Sequence, residues 1–182
     1  MKNKAAILVL LTAALAGAEF NYEKAKRLDD FLTRIAQLKS RPLLLRQMTF
    51  SEHEFNSYLN LVYVKRYAPE VKYIELELRE KNRVRGRLKL KLDARQYSRV
   101  PAFLRDVEVR FAGRVECESQ RMRYWFDELA VNGASFSPQV LDEVYGLAQF
   151  NSAVKNSIYD WFSLLPGLKK FSTGDKSITL FY

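Results

Sequence analysis

Two hydrophobic periods divide this chain. Between residues 22 and 40, Leu28, Phe31, Ile35 and Leu38 recur at steps of three and four with charges between them, the spacing of an amphipathic helix. Glu23 and Arg27 are placed for an i,i+4 pair. Arg41-Pro42 closes the run, because a residue before proline avoids helical dihedrals. Such a helix can lie on a membrane or a partner, but packing on its own domain is the expectation. A second helix opens at Ser51, where Ser51 and Glu54 form a capping box and Phe50 and Phe55 are spaced as a hydrophobic staple. Phe55, Leu59, Val62 and Tyr63 line one face, and Ala68-Pro69 stops the helix near Tyr67.

The period then drops to two. In 71–80, Ile74, Leu76 and Leu78 point one way and Glu75, Glu77 and Arg79 the other. In 84–93, Val84, Gly86, Leu88, Leu90 and Leu92 oppose Arg85, Arg87, Lys89 and Lys91. A hairpin centred on Lys81-Asn82 sets Glu77 across from Arg85 and Glu75 across from Arg87. A looser stretch, 94–105, crosses an edge of the sheet. Strand 106–119 alternates again, with Val107, Val109, Phe111, Val115 and Cys117 inward. Strand 121–131 follows a tight turn, and its consecutive Tyr124, Trp125 and Phe126 cover both faces. Asn132-Gly133 reads as a turn. Ser137-Pro138 then opens another helix with a very broad apolar face, and Val154, Ile158, Trp161, Phe162 and Leu165 continue the helical spacing to Pro166-Gly167. A hairpin turning at Thr173-Gly174-Asp175 ends the chain. Apolar-in, charged-out strands are those of an antiparallel sheet with one solvated face. The expected fold is α+β: a curved antiparallel β-sheet wrapped around one or two apolar helices, preceded by the N-terminal amphipathic helix.

The first residues bear on compartment. Lys2 and Lys4 precede a run from Ala5 to Ala16 that is apolar or small apart from Thr12, and small residues follow, the layout of a secretory signal. The run is shorter than the roughly 20 apolar residues of a membrane span. Cleavage after Ala18 is the preferred reading, with retention as a tether the alternative. It divides the chain into a signal at 1–18, a helix and connector at 19–47 and one α+β domain at 48–182. Localisation is then periplasmic or secreted. The leader carries two lysines, so the net charge falls from +9 to +7. In an exported protein that surplus points to anionic lipid or acidic envelope polymers and not to nucleic acid.

Chemistry is sparse. Cys117 is the single cysteine, which excludes an internal disulfide, and its place on an apolar strand face makes it a core residue. His53 is the single histidine and has no companions for a zinc site. No nucleophile elbow, redox pair or phosphate loop occurs among only seven glycines. The carboxylate pairs Asp29/Asp30 and Glu116/Glu118 fall on solvated faces. No enzyme activity, cofactor or metal is expected. Two features remain, the basic row Arg83, Arg85, Arg87, Lys89 and Lys91, and the aromatics concentrated in the second helical region.

The run Met48-Thr49-Phe50-Ser51-Glu52-His53-Glu54-Phe55-Asn56-Ser57-Tyr58-Leu59, four antiparallel strands, Val131-Asn132-Gly133, Ser137-Pro138 and Leu164-Leu165-Pro166-Gly167 before a terminal hairpin follow in an order that resembles exported LmeA-like phospholipid-binding proteins of the tubular lipid-binding superfamily. The resemblance spans roughly residues 48–182. It implies a curved sheet around a long helix with an apolar groove for lipid. The function expected is binding of a lipid or similar amphipathic molecule, with an envelope scaffold or protein-assembly module as the alternative. Candidate groove residues are Leu141, Tyr145, Phe150, Tyr159, Trp161 and Phe162. Arg83, Arg85 and Arg87 are candidates for the anionic headgroup or an anionic membrane surface.

Overall fold

The computed structural model of the protein describes residues 20–37, 45–91, 106–137, 139–140, 142, 157 and 159–182. The expected leader, the 94–105 crossing and most of 138–158, the larger part of the helix expected over 138–165, lie outside the described residues. Helix α1 (Tyr22–Gln37) is opened by Asn21, whose side chain accepts from Lys24 N at 3.0 Å. Its face of Ala25, Leu28, Phe31, Leu32 and Ile35 is buried. Strand β1 (Gln47–Ser51) leads into helix α2 (Glu52–Tyr58) through the capping box at Ser51 and Glu54.

The second helix is not continuous. A π-helical turn, Leu59–Tyr63, separates α2 from α3 (Val64–Tyr67). The extra residue sets later side chains back by about 100° of helix rotation. Val64 is therefore buried in place of Tyr63, which is exposed and stacks on Tyr67 at 5.4 Å.

The main sheet is antiparallel, in the order β2 (Val71–Arg79), β3 (Arg83–Lys91), β4 (Asp106–Glu118), β5 (Arg121–Val131) and β6 (Ala134–Ser135), with β7 (Phe162–Ser163) also on β5. Lys81-Asn82, Ser119-Gln120 and Asn132-Gly133 all have positive φ, as two-residue type I′ turns require. The expected cross-strand neighbours Glu77/Arg85 and Glu75/Arg87 are found in register. A second sheet, in the order β1, β9 (Ser177–Phe181) and β8 (Lys170–Gly174), was not expected. Its terminal hairpin turns at Asp175-Lys176, slightly later than the spacing suggested. Phe162–Ser163 is a strand, and no helix runs through Trp161 to Leu165, which corrects the helical spacing read there.

The core lies at one end of the main sheet. Leu28, Ile35, Phe50, Tyr58, Leu59, Leu78, Val84, Val115, Ile178 and Leu180 belong to one buried cluster joining α1, α2, the π turn and both sheets. The free edge of β2 is closed by helix side chains. Asn56 accepts from Leu76 N and donates to Leu76 O, both at 2.8 Å. Asn60 does the same at Ile74, at 3.0 and 2.6 Å, and Glu52 accepts from Leu78 N at 2.5 Å. Four helical residues rise about 6 Å and two strand residues about 6.7 Å, so positions 52, 56 and 60 keep step with 78, 76 and 74. An edge strand thereby loses the open hydrogen-bonding groups that invite pairing with another chain.

Candidate functional site

The charged face of the main sheet carries a groove of about 870 Å³ that runs from Glu52 beside β2 to Ser135 and Phe136 beyond β5. Strand alternation builds its walls. Glu75 and Glu77 come from β2, Arg85 and Arg87 from β3, Arg110 from β4 and Glu128 from β5, while Ala112 and Ala130 keep the centre low. A bulge adds Asp127. Ala112 pairs with Glu128 and Gly113 with Phe126, so Asp127 has no residue opposite it. Gly113 is required there, because a Cβ would lie 1.9 Å from the Trp125 carbonyl oxygen.

The ion pairs differ from those that register alone suggests. Arg87 donates to Glu108 on β4 at 2.8 Å, and Arg110 to the other Glu108 oxygen at 2.7 Å. The two guanidiniums, Arg87 first, hold the Glu108 carboxyl below its ordinary range. Glu75 accepts from Tyr73 OH at 2.7 Å, and burial with that contact pushes the phenol up to about 12. Glu77 holds Arg79 of its own strand. Among the described residues no carboxylate pairs with Arg83 or Arg85. Arg83 does not line the groove; it stands between Arg79 and Arg114 in a cross-strand row of three arginines.

A second constellation sits at the β4–β5 end of the same face. Arg123 lies between Trp125 and Trp161, at 4.6 and 4.5 Å from the ring centres, and Arg121 covers Trp161 at 5.6 Å. Arg123 also pairs with Glu116 at 2.7 Å. The Trp125 indole N–H is buried without a well-formed hydrogen bond. Its dipole still favours the charged form of Glu116, whose carboxyl is held low by that N–H and by Arg123. Tyr159 extends the stack, 5.4 Å from Trp125 and 6.4 Å from Phe126.

These placements sort the candidates. Arg85 and Arg87 line the groove. Tyr159 and Trp161 gather along β5 outside it, Phe162 pairs with Met122 on β7, and Leu141, Tyr145 and Phe150 lie outside the described residues. Arg114, Arg121, Arg123 and Trp125 were not among the site candidates that the sequence suggested. The alternation Arg121-x-Arg123-x-Trp125 put three of them on one face, but Trp161 is remote in the chain and nothing marked it as their partner.

The opposite face is apolar well beyond the core. Leu88, Leu90, Val109, Phe111, Phe126 and Val131 are half-buried there, Val107 and Leu129 are buried, and none belongs to the core cluster. Phe111, Tyr124 and Phe126 pack edge to face at 4.6 to 6.1 Å, with the Phe111 ring over Gly86, where a Cβ would meet it at 2.1 Å. Of the acidic pairs, Asp29 binds Arg66 through two 2.9 Å bonds and Asp30 pairs with Lys26. Cys117 is half-buried, and burial raises its thiol. Among the described residues no cluster of His, Cys, Asp or Glu could hold a metal, and no helix is long and apolar enough to cross a membrane. Comparison with protein-family models, curated proteins and solved structures finds no match to this chain.

Proposed function

We propose that this is an exported envelope protein, akin to the LmeA-like phospholipid-binding group, that holds the acyl chains of a lipid or similar amphipathic molecule against the apolar face of a curved sheet. One observation carries the reading. The apolar stripe continues through Leu88, Leu90, Val109 and Val131, past the core cluster formed with α1, α2 and the small sheet. Each methylene moved from water onto such a surface contributes about 0.8 kcal/mol, so a single chain suffices for useful affinity. Of the two candidate headgroup arginines in the groove, Arg85 has no carboxylate partner among the described residues and Arg87 is engaged by Glu108; both stand on the charged face, so a headgroup reaches them only around a sheet edge.

The test is to purify the protein from the periplasm without detergent and compare native with denaturing mass spectra. A stoichiometric lipid that disappears in Leu90→Arg and Val109→Arg, both still folded, is the expected result. Protein that is released empty and takes up no added phospholipid defeats the proposal. The groove of about 870 Å³, with both signs of charge on its walls, then favours a scaffold that docks an envelope protein.

A further inference from the structure

We propose that the β4–β5 tip is a docking surface for an anionic lipid bilayer, with Trp161, Phe162 and Leu165 entering the headgroup layer and Arg83 and Arg121 facing its phosphates. This does not rest on an internal lipid, because surface docking needs none.

The register carries β4 and β5 past the end of β3, with Cys117 and Met122 packed against the core on the face opposite the arginines. Pairing of β3 with β4 ends at Arg83/Arg114, whereas β4 and β5 continue through Glu116/Arg123 and Glu118/Arg121 to the turn at Ser119-Gln120. Strand β7 joins there, pairing Ser163 with Arg121 and Phe162 with Met122, and Leu164 N donates to Gln120 O at 2.8 Å. Phe162 and Leu165 are nevertheless 47% and 50% exposed, two large apolar side chains open to solvent beside one turn. The chain has only two tryptophans, and both are held here by arginine stacking. Tryptophan and arginine suit the layer between water and hydrocarbon, the indole by being amphipathic and the guanidinium by binding phosphate.

Charge agrees with this choice of partner. Arg83 and Arg121 have no carboxylate partner among the described residues, Glu116 is engaged by Arg123, and Glu118 is the remaining acid on the two outermost rungs. An arginine-rich tip with a few apolar anchors fits a deformable anionic surface better than the extended apolar patch of a protein interface.

The experiment uses the protein in the form the cell produces, mixed with vesicles of phosphatidylglycerol and phosphatidylcholine or of phosphatidylcholine alone. Sedimentation with the anionic vesicles only, a blue shift of tryptophan emission and quenching by brominated lipid are expected. Trp125→Phe leaves Trp161 as a single reporter that is still quenched. Arg83→Ser and Arg121→Ser each weaken partition roughly fivefold. Phe162→Ser combined with Leu165→Ser weakens it about tenfold. These side chains lie at the surface, so the melting temperature stays close to that of the parent. Absence of sedimentation overturns the proposal. So does sedimentation with unquenched tryptophans or with variants that bind like the parent, since another face then docks. Capture of a protein through the tip while vesicles leave it free overturns it as well.

Discussion

Asn56 is the most exacting test of how this fold protects itself. Its side chain makes two hydrogen bonds to one residue, accepting from Leu76 N and donating to Leu76 O at 2.8 Å each, and Asn56 is 6% exposed. Asn56→Ala removes both bonds. Two bonds at about 1 kcal/mol each give roughly 2 kcal/mol, and leaving the Leu76 N–H and C=O without partners adds about 1 kcal/mol or more. Leu76 is half-buried, so water satisfies part of the deficit and the sum stays near 2–3 kcal/mol. For a chain of this size that is roughly 5–10 °C in Tm. Asn56→Asp separates donor from acceptor. The carboxylate still accepts from Leu76 N but faces the Leu76 oxygen with negative charge, so the folded state raises the pKa of this introduced acid. Stability linked to a raised pKa is present below the unfolded value and lost as pH rises through the folded one. The aspartate variant therefore approaches the parent near pH 4 and falls furthest behind it at neutral pH.

Urea unfolding followed by circular dichroism gives the stabilities, and hydrogen exchange at the Leu76 amide reports the bond itself. An Asn56→Ala loss under about 0.5 kcal/mol, with Leu76 exchange unchanged, would falsify the edge-clamp account. If the clamp is real, opening it frees a strand edge, and the alanine variant self-associates at concentrations where the parent is monodisperse.

Gly113→Ala forces a Cβ against the Trp125 carbonyl oxygen, so the bulge must shift; a loss of about 2–4 kcal/mol is expected by thermal unfolding, and an unchanged melting temperature would refute the need for glycine. Burial opposes ionisation of Glu54, but bonds from Ser51 and Arg27 outweigh it and hold the carboxyl below its ordinary value. Glu54→Gln therefore costs about 1 kcal/mol at neutral pH. The stability of a depressed acid is present above its unfolded pKa, near 4.3, and lost as pH falls through the folded value, so the gap between the two proteins closes in acid. A gap that does not change with pH would show that the charge plays no part.

Faces were legible from the sequence and partners were not. Alternation with Lys81-Asn82 between two strands fixed the Glu77/Arg85 and Glu75/Arg87 rungs, because a one-residue slip would turn every apolar side chain to the charged face. It did not say that Arg87 would choose Glu108, since that requires knowing which strand lies on its other side. The π turn has no compositional mark, and β1 and β7 are too short to display a period. Trp161 and Phe162 fitted a helical spacing equally well. The correct assignment of faces has a consequence for both proposed activities. An internal lipid would lie against Val109, Phe126 and Val131, whereas the stack of Trp125, Arg123 and Trp161 at the docking tip stands on the opposite face. Tyr159 touches both Trp125 and Phe126 at the edge of β5. That ring therefore bridges the two faces, so its substitution is expected to disturb both proposed activities, whereas Leu90→Arg and Val109→Arg touch the apolar face alone.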